Sequence, residues 1–248
     1  GWLKRPIVGY LRKFHNKTAL TTVPTERMRS ELSAIGFKNV RVLSRGVNAT
    51  LYDPARRSEV LRSRWGLKAD NLILIHVGRL AAEKNLELLI KAYERLKAQD
   101  PKVRLLLVGD GPEKAAMQAR IRDAIFAGMQ TGEDLASHYA SADLFVFPSK
   151  TETFGNVTLE AMASGLPVVA FDYAAAAQYV TPQSGCLADL DRDEDFVRGG
   201  LRMHALFLQD PAAYAAMGGN SRLRAERESW PVVVKQFESL LVEAMHPV

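Results

Sequence analysis

The sequence predicts an α/β fold organised as a doubly wound parallel sheet. Apolar runs near Leu72, Val103, Ala124, Leu144 and Pro167 recur along the chain with helix-forming stretches between them, the pattern of strand–helix alternation. Glycine-bearing turns close several of these runs. With 248 residues, 47% of them hydrophobic, the chain can bury one large core, and its length suggests between one and two domains. Taken in order, Leu72-Ile-Leu-Ile-His-Val77 is a strand pattern that runs into Gly78-Arg79-Leu-Ala-Ala-Glu83-Lys84-Asn85, and an amphipathic helix follows from about Leu86 to Ala98. Val103 opens the next strand, which ends in the turn Val108-Gly-Asp-Gly-Pro112. Ala124-Ile-Phe-Ala-Gly128 is the third strand. Leu144-Phe-Val-Phe147 reads as a buried fourth, with helix formers from Asn156 to Ala163 behind it. Gly185 to Leu187 adds a short edge strand after the Pro167 run. The remainder is helical: Asp191-Arg-Asp-Glu194 has the capping-box spacing, Asp210-Pro211 is an N-cap followed by proline, and Ser229-Trp-Pro opens a last helix. Upstream, Lys17 to Leu43 supplies a strand, a helix opened by Pro24-Thr25, and another strand.

The segment with the most chemistry is Ser149-Lys-Thr-Glu152-Thr-Phe-Gly155-Asn-Val-Thr-Leu-Glu160, two glutamates eight positions apart across a glycine-bearing turn. In this fold class ligands bind in the crevice outside the carboxyl ends of the strands, where Glu152 and Gly155 would lie. Turn amides at Phe154, Gly155 and Asn156 would present unpaired N–H groups and the positive end of a helix dipole to a phosphate or a sugar oxygen. Carboxylates accept hydrogen bonds from paired hydroxyls, so Glu152 could hold a sugar and Glu160 a ribose. Either glutamate alone would read more simply as a solvated acid. Arg79 and Lys84 alter that balance, because they sit at another strand's carboxyl end. A fixed guanidinium and an ammonium there would stabilise a departing diphosphate. Arg79, between an apolar strand and Leu80, is expected to be wedged in place, whereas Lys84 reads equally well as a surface cation.

Together, Gly78-Arg79-Leu80 with Glu83-Lys84-Asn85, Val108-Gly-Asp-Gly-Pro112, and Glu152 to Glu160 resemble the donor-binding half of retaining glycosyltransferases of the GT-B fold, group 1 or family 4 type. The similarity runs from about Asn16 to Ala188. It implies a Rossmann-like domain that binds a nucleotide-sugar donor, with Arg79 and Lys84 on the diphosphate, Glu152 on the transferred sugar, Glu160 on the ribose, and backbone near Phe154 and Gly155 also touching the donor. Gly78, Phe126, Gly128 and Asn156 complete the expected donor site, Phe126 to Gly128 bounding the base. The wording Phe14-His-Asn-Lys-Thr18, Val23-Pro-Thr25, Gly46-Val-Asn48 and Ala124 to Met129 is closest to members that glycosylate lipids, such as mannosyl and sulfoquinovosyl transferases, with GDP-mannose or a UDP-sugar as donor. One departure is Tyr173-Ala-Ala-Ala-Ala177-Gln178, where many relatives carry a glycine pair and then a glutamate. The resemblance further implies three parts: residues 1–45 as the tail of an acceptor-binding domain, 46–225 as the donor-binding domain, and 226–248 as a helix returning to the first domain. Gly1-Trp2-Leu3, without an initiating methionine, fits a fragment with a tag or cleavage scar. Such a fragment is expected to bind donor and to transfer little.

Other chemistries fit less well. Val108-Gly-Asp-Gly-Pro112 lacks the third glycine of a dinucleotide fingerprint, so no NAD site is expected, and Asp110 alone reads as a turn residue. Asp189-Leu-Asp191-Arg-Asp193-Glu-Asp195 has Phe196 where a calcium loop needs glycine, and helix-start acids explain the run better. His15, His76, His138, His204 and His246 lack ligand spacing, so no metal and no cofactor is expected. His76 is assigned to the core or the crevice wall. A glycoside hydrolase would also use two carboxylates, but a sugar-oxygen leaving group needs a proton rather than the cations at Arg79 and Lys84. A nucleotide-sugar epimerase and a non-catalytic nucleotide-binding module stay as alternatives. The net charge is +5, yet no recognition helix or aromatic RNA-binding signature is visible, so nucleic acid is not an expected partner. Lys4, Arg5, Arg12, Lys13 and Lys17 gather among Trp2, Tyr10 and Phe14. That basic aromatic edge suits peripheral contact with anionic lipid in the full-length protein, or a solvated helix face, which is preferred. One cysteine, Cys186, excludes an internal disulfide and suits a reducing cytoplasm.

Overall fold

A computed structural model describes residues 4–68, 70–152 and 154–245. The side chains of Lys4 and Arg5, together with Gly1, Trp2 and His246, lie outside the described set. The chain divides into two compact units, Val47 to Arg227 forming one and the residues up to Gly46 joined by those from Glu228 onward forming the other.

The smaller unit begins with α1 (Lys4–His15), β1 (Thr21–Val23), α2 (Glu26–Ala34) and β2 (Val40–Val42). The two strands pair in parallel, Thr21 opposite Val40, and Val23, Phe37 and Val40 form a small core between them and the helices. Thr25 caps α2 by accepting the Met28 N–H, as its position before the helix predicts.

The larger unit contains α3 (Glu59–Arg64), β3 (Ile73–Val77), α4 (Leu86–Gln99), β4 (Arg104–Val108), α5 (Lys114–Arg120), β5 (Ile125–Gly128), α6 (Gly132–Ala140), β6 (Leu144–Phe147), α7 (Asn156–Ala163), β7 (Val168–Phe171), α8 (Ala174–Tyr179), β8 (Gly185–Ala188), α9 (Asp193–Gln209) and α10 (Pro211–Glu226). The last helix, α11 (Trp230–Met245), belongs to the smaller unit, where Gln236 donates to the Val42 carbonyl at 3.3 Å.

Six strands form one parallel sheet in the order β5-β4-β3-β6-β7-β8, with the chain reversing its direction of travel between β3 and β6. Helices cover both faces. Alternation along each strand divides the apolar side chains between two cores: Ile73, Ile75, Phe145 and Val168 pack on the side of α6, α7 and α8, while Leu72, Leu74, Leu144 and Val169 pack on the side of α4 and α9. Because both faces are covered, β3, β6 and β7 are buried throughout, which is why they read as unbroken apolar runs. Every strand expected from the sequence is present, including the short edge strand β8. Asp210 caps α10 through the Ala213 N–H with Pro211 in the first turn. The expected capping box at Asp191 does not form. Arg192 occupies the N-cap of α9 without a side-chain cap, and Asp191 instead turns its own N–H onto Asp189 Oδ1 at 3.0 Å. The acids of the run still fill the first helical turn, where the dipole favours them.

Candidate functional site

The carboxyl ends of β3 and β6 lie side by side at the point where the sheet order reverses, so the loops that follow them open into one crevice. Three side-chain bonds hold these loops together. Asn85, in the left-handed conformation at the start of α4, donates to the Pro148 carbonyl at 3.2 Å. Thr151 Oγ1 donates to the Glu83 carbonyl at 3.0 Å. Lys84 Nζ bonds Glu152 Oε1, and Ser149 Oγ donates to the same oxygen at 2.8 Å. Both members of the ion pair are mostly buried, 18% and 15% exposed, so each charge is screened far less than on an open surface.

The glycines here meet two demands, a positive φ at Gly155 and close backbone approach at Gly109. Gly155 takes φ +88 at the N-cap of α7 and turns the chain from Glu152 into the helix. Thr158 N–H bonds back to the Gly155 carbonyl at 3.0 Å, which leaves the Asn156 and Val157 N–H groups at the start of α7 ahead of the first intrahelical bond. A Cβ on Gly109 would lie 1.9 Å from the Gly78 carbonyl oxygen, so the Gly-Asp-Gly turn serves backbone packing beneath the β3 loop. Asp110 holds that turn through the Gly111 N–H at 2.7 Å and Lys114 at 2.9 Å.

Glu160 lies one helical face further along α7. The Tyr139 hydroxyl donates to Glu160 Oε2 at 3.1 Å, and Tyr52, whose ring meets that of Tyr139 edge to face at 5.7 Å, bonds the same carboxylate. Burial pushes the Glu160 carboxyl above its ordinary value, and the two hydroxyls pull it back. Both phenols are raised in turn, chiefly by burial and then by the Glu160 charge. The carboxylate is thereby fixed in orientation rather than solvated. Neither tyrosine, nor Ser149, was singled out from sequence; an isolated tyrosine in a helix carries no pattern that distinguishes a hydroxyl aimed at a carboxylate from a core ring.

Other expected site residues are placed less uniformly. Arg79 is not wedged: its side chain is 68% exposed and pairs loosely with Glu83 at 3.8 Å, because Leu80 alone turns into the core. The Phe154 ring is buried, and its carbonyl accepts the Ala175 N–H at 2.8 Å. Asn156 is exposed at the start of α7, and Gly78 and Gly128 stand at strand ends. The Phe126 ring packs against the core on the α4 side. At the first residue of α8, Ala174 holds φ +51, a left-handed conformation that costs an L-residue about 1 kcal/mol, at the place where the sequence lacks a glycine pair.

His76 is fully buried and stacks on Phe147 at 5.8 Å, beneath Lys84. Its Nδ1 donates to the Val146 carbonyl at 3.2 Å, while Nε2 has no partner. Burial drives its pKa down to about 4, with the Val146 bond opposing and the Lys84 charge assisting. Below the ordinary value of 6.5 the unfolded chain takes up a proton that the folded chain refuses until about pH 4, so stability is intact above pH 6.5 and falls as pH drops toward 4. Between pH 7 and about pH 4.5 the native chain should lose about 2 kcal/mol more than a His76→Phe variant does, measured by urea unfolding at both pH values. Equal losses would remove His76 as the source.

Among the described residues no group of three His, Cys, Asp or Glu side chains is positioned to hold a metal ion, and no helix is long and apolar enough to cross a membrane.

An open parallel sheet with a cation and a carboxylate paired across its switch point has its crevice where ligands of this fold class bind, and comparison with known proteins gives the family. Residues 71–205 match the glycosyl transferases group 1 model, and the chain belongs to that family. It is 38% identical over 175 residues to a sulfoquinovosyl transferase of Arabidopsis thaliana, covering 68% of this chain and 34% of the relative. It is 35% identical over 229 residues to a GDP-mannose-dependent alpha-mannosyltransferase of Mycobacterium tuberculosis, covering 92% of this chain and 57% of the relative. The chain thus spans between a third and three fifths of the length of these two relatives. Among solved structures, sucrose-phosphate synthase of Thermosynechococcus elongatus superposes with a TM-score of 0.80 at 26% identity, over 98% of this chain and 62% of that one. HepE of Anabaena in complex with UDP gives 0.81 at 22% identity, over 97% and 68%. The structural neighbours are GT-B glycosyltransferases, and the fold is the Rossmann-like half of that architecture.

Proposed function

We propose that this chain is the donor-binding portion of a retaining glycosyltransferase that moves a sugar from a nucleoside-diphosphate sugar to a lipid or glycan acceptor. The observation that carries the reading is the convergence of two loops on one crevice, with Lys84 bonded to Glu152 at its centre. As the glycosidic bond breaks, the sugar carbon loses the diphosphate oxygen and the diphosphate gains negative charge. Lys84 and the mobile-length side chain of Arg79 supply compensating positive charge, assisted by the first-turn amides of α7. These groups give the leaving diphosphate its charge compensation without an obligatory metal. Glu152 accepts hydrogen bonds from sugar hydroxyls and Glu160, held by its two tyrosines, accepts them from the ribose. The acceptor hydroxyl attacks from the face the diphosphate leaves and passes its proton to the departing diphosphate oxygen, which yields retention.

Lys84, the cation for the diphosphate, is bonded to Glu152, the carboxylate for the sugar. Donor binding exchanges that internal pair for two contacts with one ligand. The names of the relatives, a GDP-mannose mannosyltransferase and a sulfoquinovosyl transferase, support a hexosyl donor and leave GDP and UDP as the two nucleotides to compare. The test is product analysis with a full-length enzyme containing this chain, supplied with GDP-mannose or UDP-glucose and a diacylglycerol acceptor. A new glycoside with the donor's anomeric configuration is expected. An isomerised nucleotide sugar with no glycoside would replace the proposal with an epimerase, and an inverted product would refute retention.

A further inference from the structure

Between the outer edge strand β8 and helix α9 lies a recess of about 410 Å³ that takes no part in the donor crevice. Three guanidinium groups, from Arg192, Arg198 and Arg202, line it against a single carboxylate, Asp195. That carboxylate is shared: Arg192 Nε lies 3.5 Å from it and Arg198 is bonded to it. Among the described residues Arg202 has neither an ion-pair nor a hydrogen-bond partner, although it stands one turn from Arg198, where like charges repel. Glu194, the other acid nearby, is drawn off to Lys91 at 3.1 Å and Arg95 at 3.9 Å. The recess therefore carries a surplus of positive charge that the protein itself does not neutralise.

Two backbone features shape it for a small anion. Gly199 lets α9 lie hard against the sheet, since a Cβ there would come within 3.3 Å of Cys186 Cβ and 3.2 Å of Val169 Cγ1. The arginines flanking that contact consequently reach along the sheet edge. In a parallel strand alternate residues turn their amides to the same side. The Ser184 and Ala188 carbonyls accept from β7, at 3.1 and 2.8 Å from Val168 N and Asp172 N, so Leu187 turns its N–H outward to the open edge beside the arginines. Guanidinium forks match phosphate oxygens in pairs, and an outward N–H adds a further donor.

We propose that the β8–α9 recess is a second anion site that takes a phosphate monoester, independent of the nucleotide in the crevice. The ester is either a soluble phosphorylated molecule or a lipid headgroup. Titration of the chain with inorganic phosphate, followed by amide resonances, should shift Leu187 and Gly199 saturably at millimolar concentration. The dissociation constant should rise at least tenfold in Arg198→Gln/Arg202→Gln. Arg202→Gln alone removes a group bonded to nothing in the protein, so its fold is not at risk, and it should weaken binding about threefold. Shifts that match those from sodium chloride at equal ionic strength, or an unchanged constant in both variants, would overturn the site. Sedimentation with phosphatidylcholine vesicles with and without phosphatidic acid then separates the sources. Capture by phosphatidic acid that both variants weaken assigns the headgroup, and phosphate binding without capture assigns the soluble ester.

Discussion

Replacing Arg62 by methionine should lower the unfolding free energy by about 3–5 kcal/mol, the cost typical of stripping one partner from a buried ion pair. The side chain is 1% exposed and its guanidinium makes four bonds: to the Ser141 carbonyl at 2.9 Å, Asp143 Oδ2 at 3.1 Å, the Lys68 carbonyl at 3.0 Å and the Asn71 carbonyl at 3.1 Å. Asp143 in turn accepts the Ile73 N–H at 2.9 Å. This network ties α3 to the starts of β3 and β6, the two strands whose far ends carry the crevice. Methionine would take the guanidinium donors from the Ser141 and Asn71 carbonyls and from Asp143 Oδ2, which keeps the Ile73 N–H alone, at a desolvation cost. Arg57, which meets the other Asp143 oxygen from a site 36% exposed, is the control, and Arg57→Met should cost about 1 kcal/mol or less. Urea unfolding measures both. A domain of ordinary stability, about 5–15 kcal/mol, would lose much of it in the first case only. A loss below about 1 kcal/mol for Arg62→Met would mean that the network is not the anchor described.

Substitutions at the Lys84–Glu152 pair should change nucleotide affinity in opposite directions. Lys84→Met removes the cation and strands the Glu152 charge in the crevice, so a nucleoside diphosphate should bind about 10- to 100-fold more weakly, the equivalent of one charge-assisted contact. Glu152→Gln frees Lys84 from its internal partner and removes a repelling charge, so the same diphosphate, lacking a sugar, should bind at least as tightly as before. The full donor should lose turnover in both variants, in Lys84→Met because the diphosphate loses its cation and in Glu152→Gln because the charged acceptor for the sugar hydroxyls is gone. In the full-length enzyme Lys84→Met should reduce turnover further than binding, as expected where charge develops in the transition state. Calorimetry with GDP and UDP reads the affinities directly. Weakening of equal size in both variants would mean that Glu152 contacts the nucleotide rather than the sugar.

The parts of the molecule legible in the sequence are those governed by local pattern. The four central strands β4, β3, β6 and β7 were visible because burial on both faces makes them continuous apolar runs, and the caps at Thr25 and Asp210 because the residue types follow from helix-end chemistry. The loops bearing Lys84 and Glu152 were legible as strand-to-helix turns, and their resemblance to a known family supplied the idea that they meet. What could not be read is set by tertiary contact. Arg62 lies in the short charged helix Glu59–Arg64, which looks like any solvated surface, and only the fold places Asp143 against it. Tyr52 and Tyr139 are far from Glu160 in sequence and converge on it through packing. The Asp191 capping box failed because Asp191 is drawn into a turn by Asp189, and the helix starts one residue later with Arg192 at its N-cap. Arg79 was misjudged because an apolar neighbour in sequence does not fix which side of the chain faces the core.

A crystal structure of the chain with GDP or UDP bound would test the shared pocket most directly. The diphosphate should lie within hydrogen-bond reach of Lys84, now released from Glu152, with the ribose hydroxyls on Glu160 and the first-turn amides of α7 against phosphate oxygen. A nucleotide seated elsewhere on the sheet, with the Lys84–Glu152 bond intact and Glu160 touching only its tyrosines, would contradict the account.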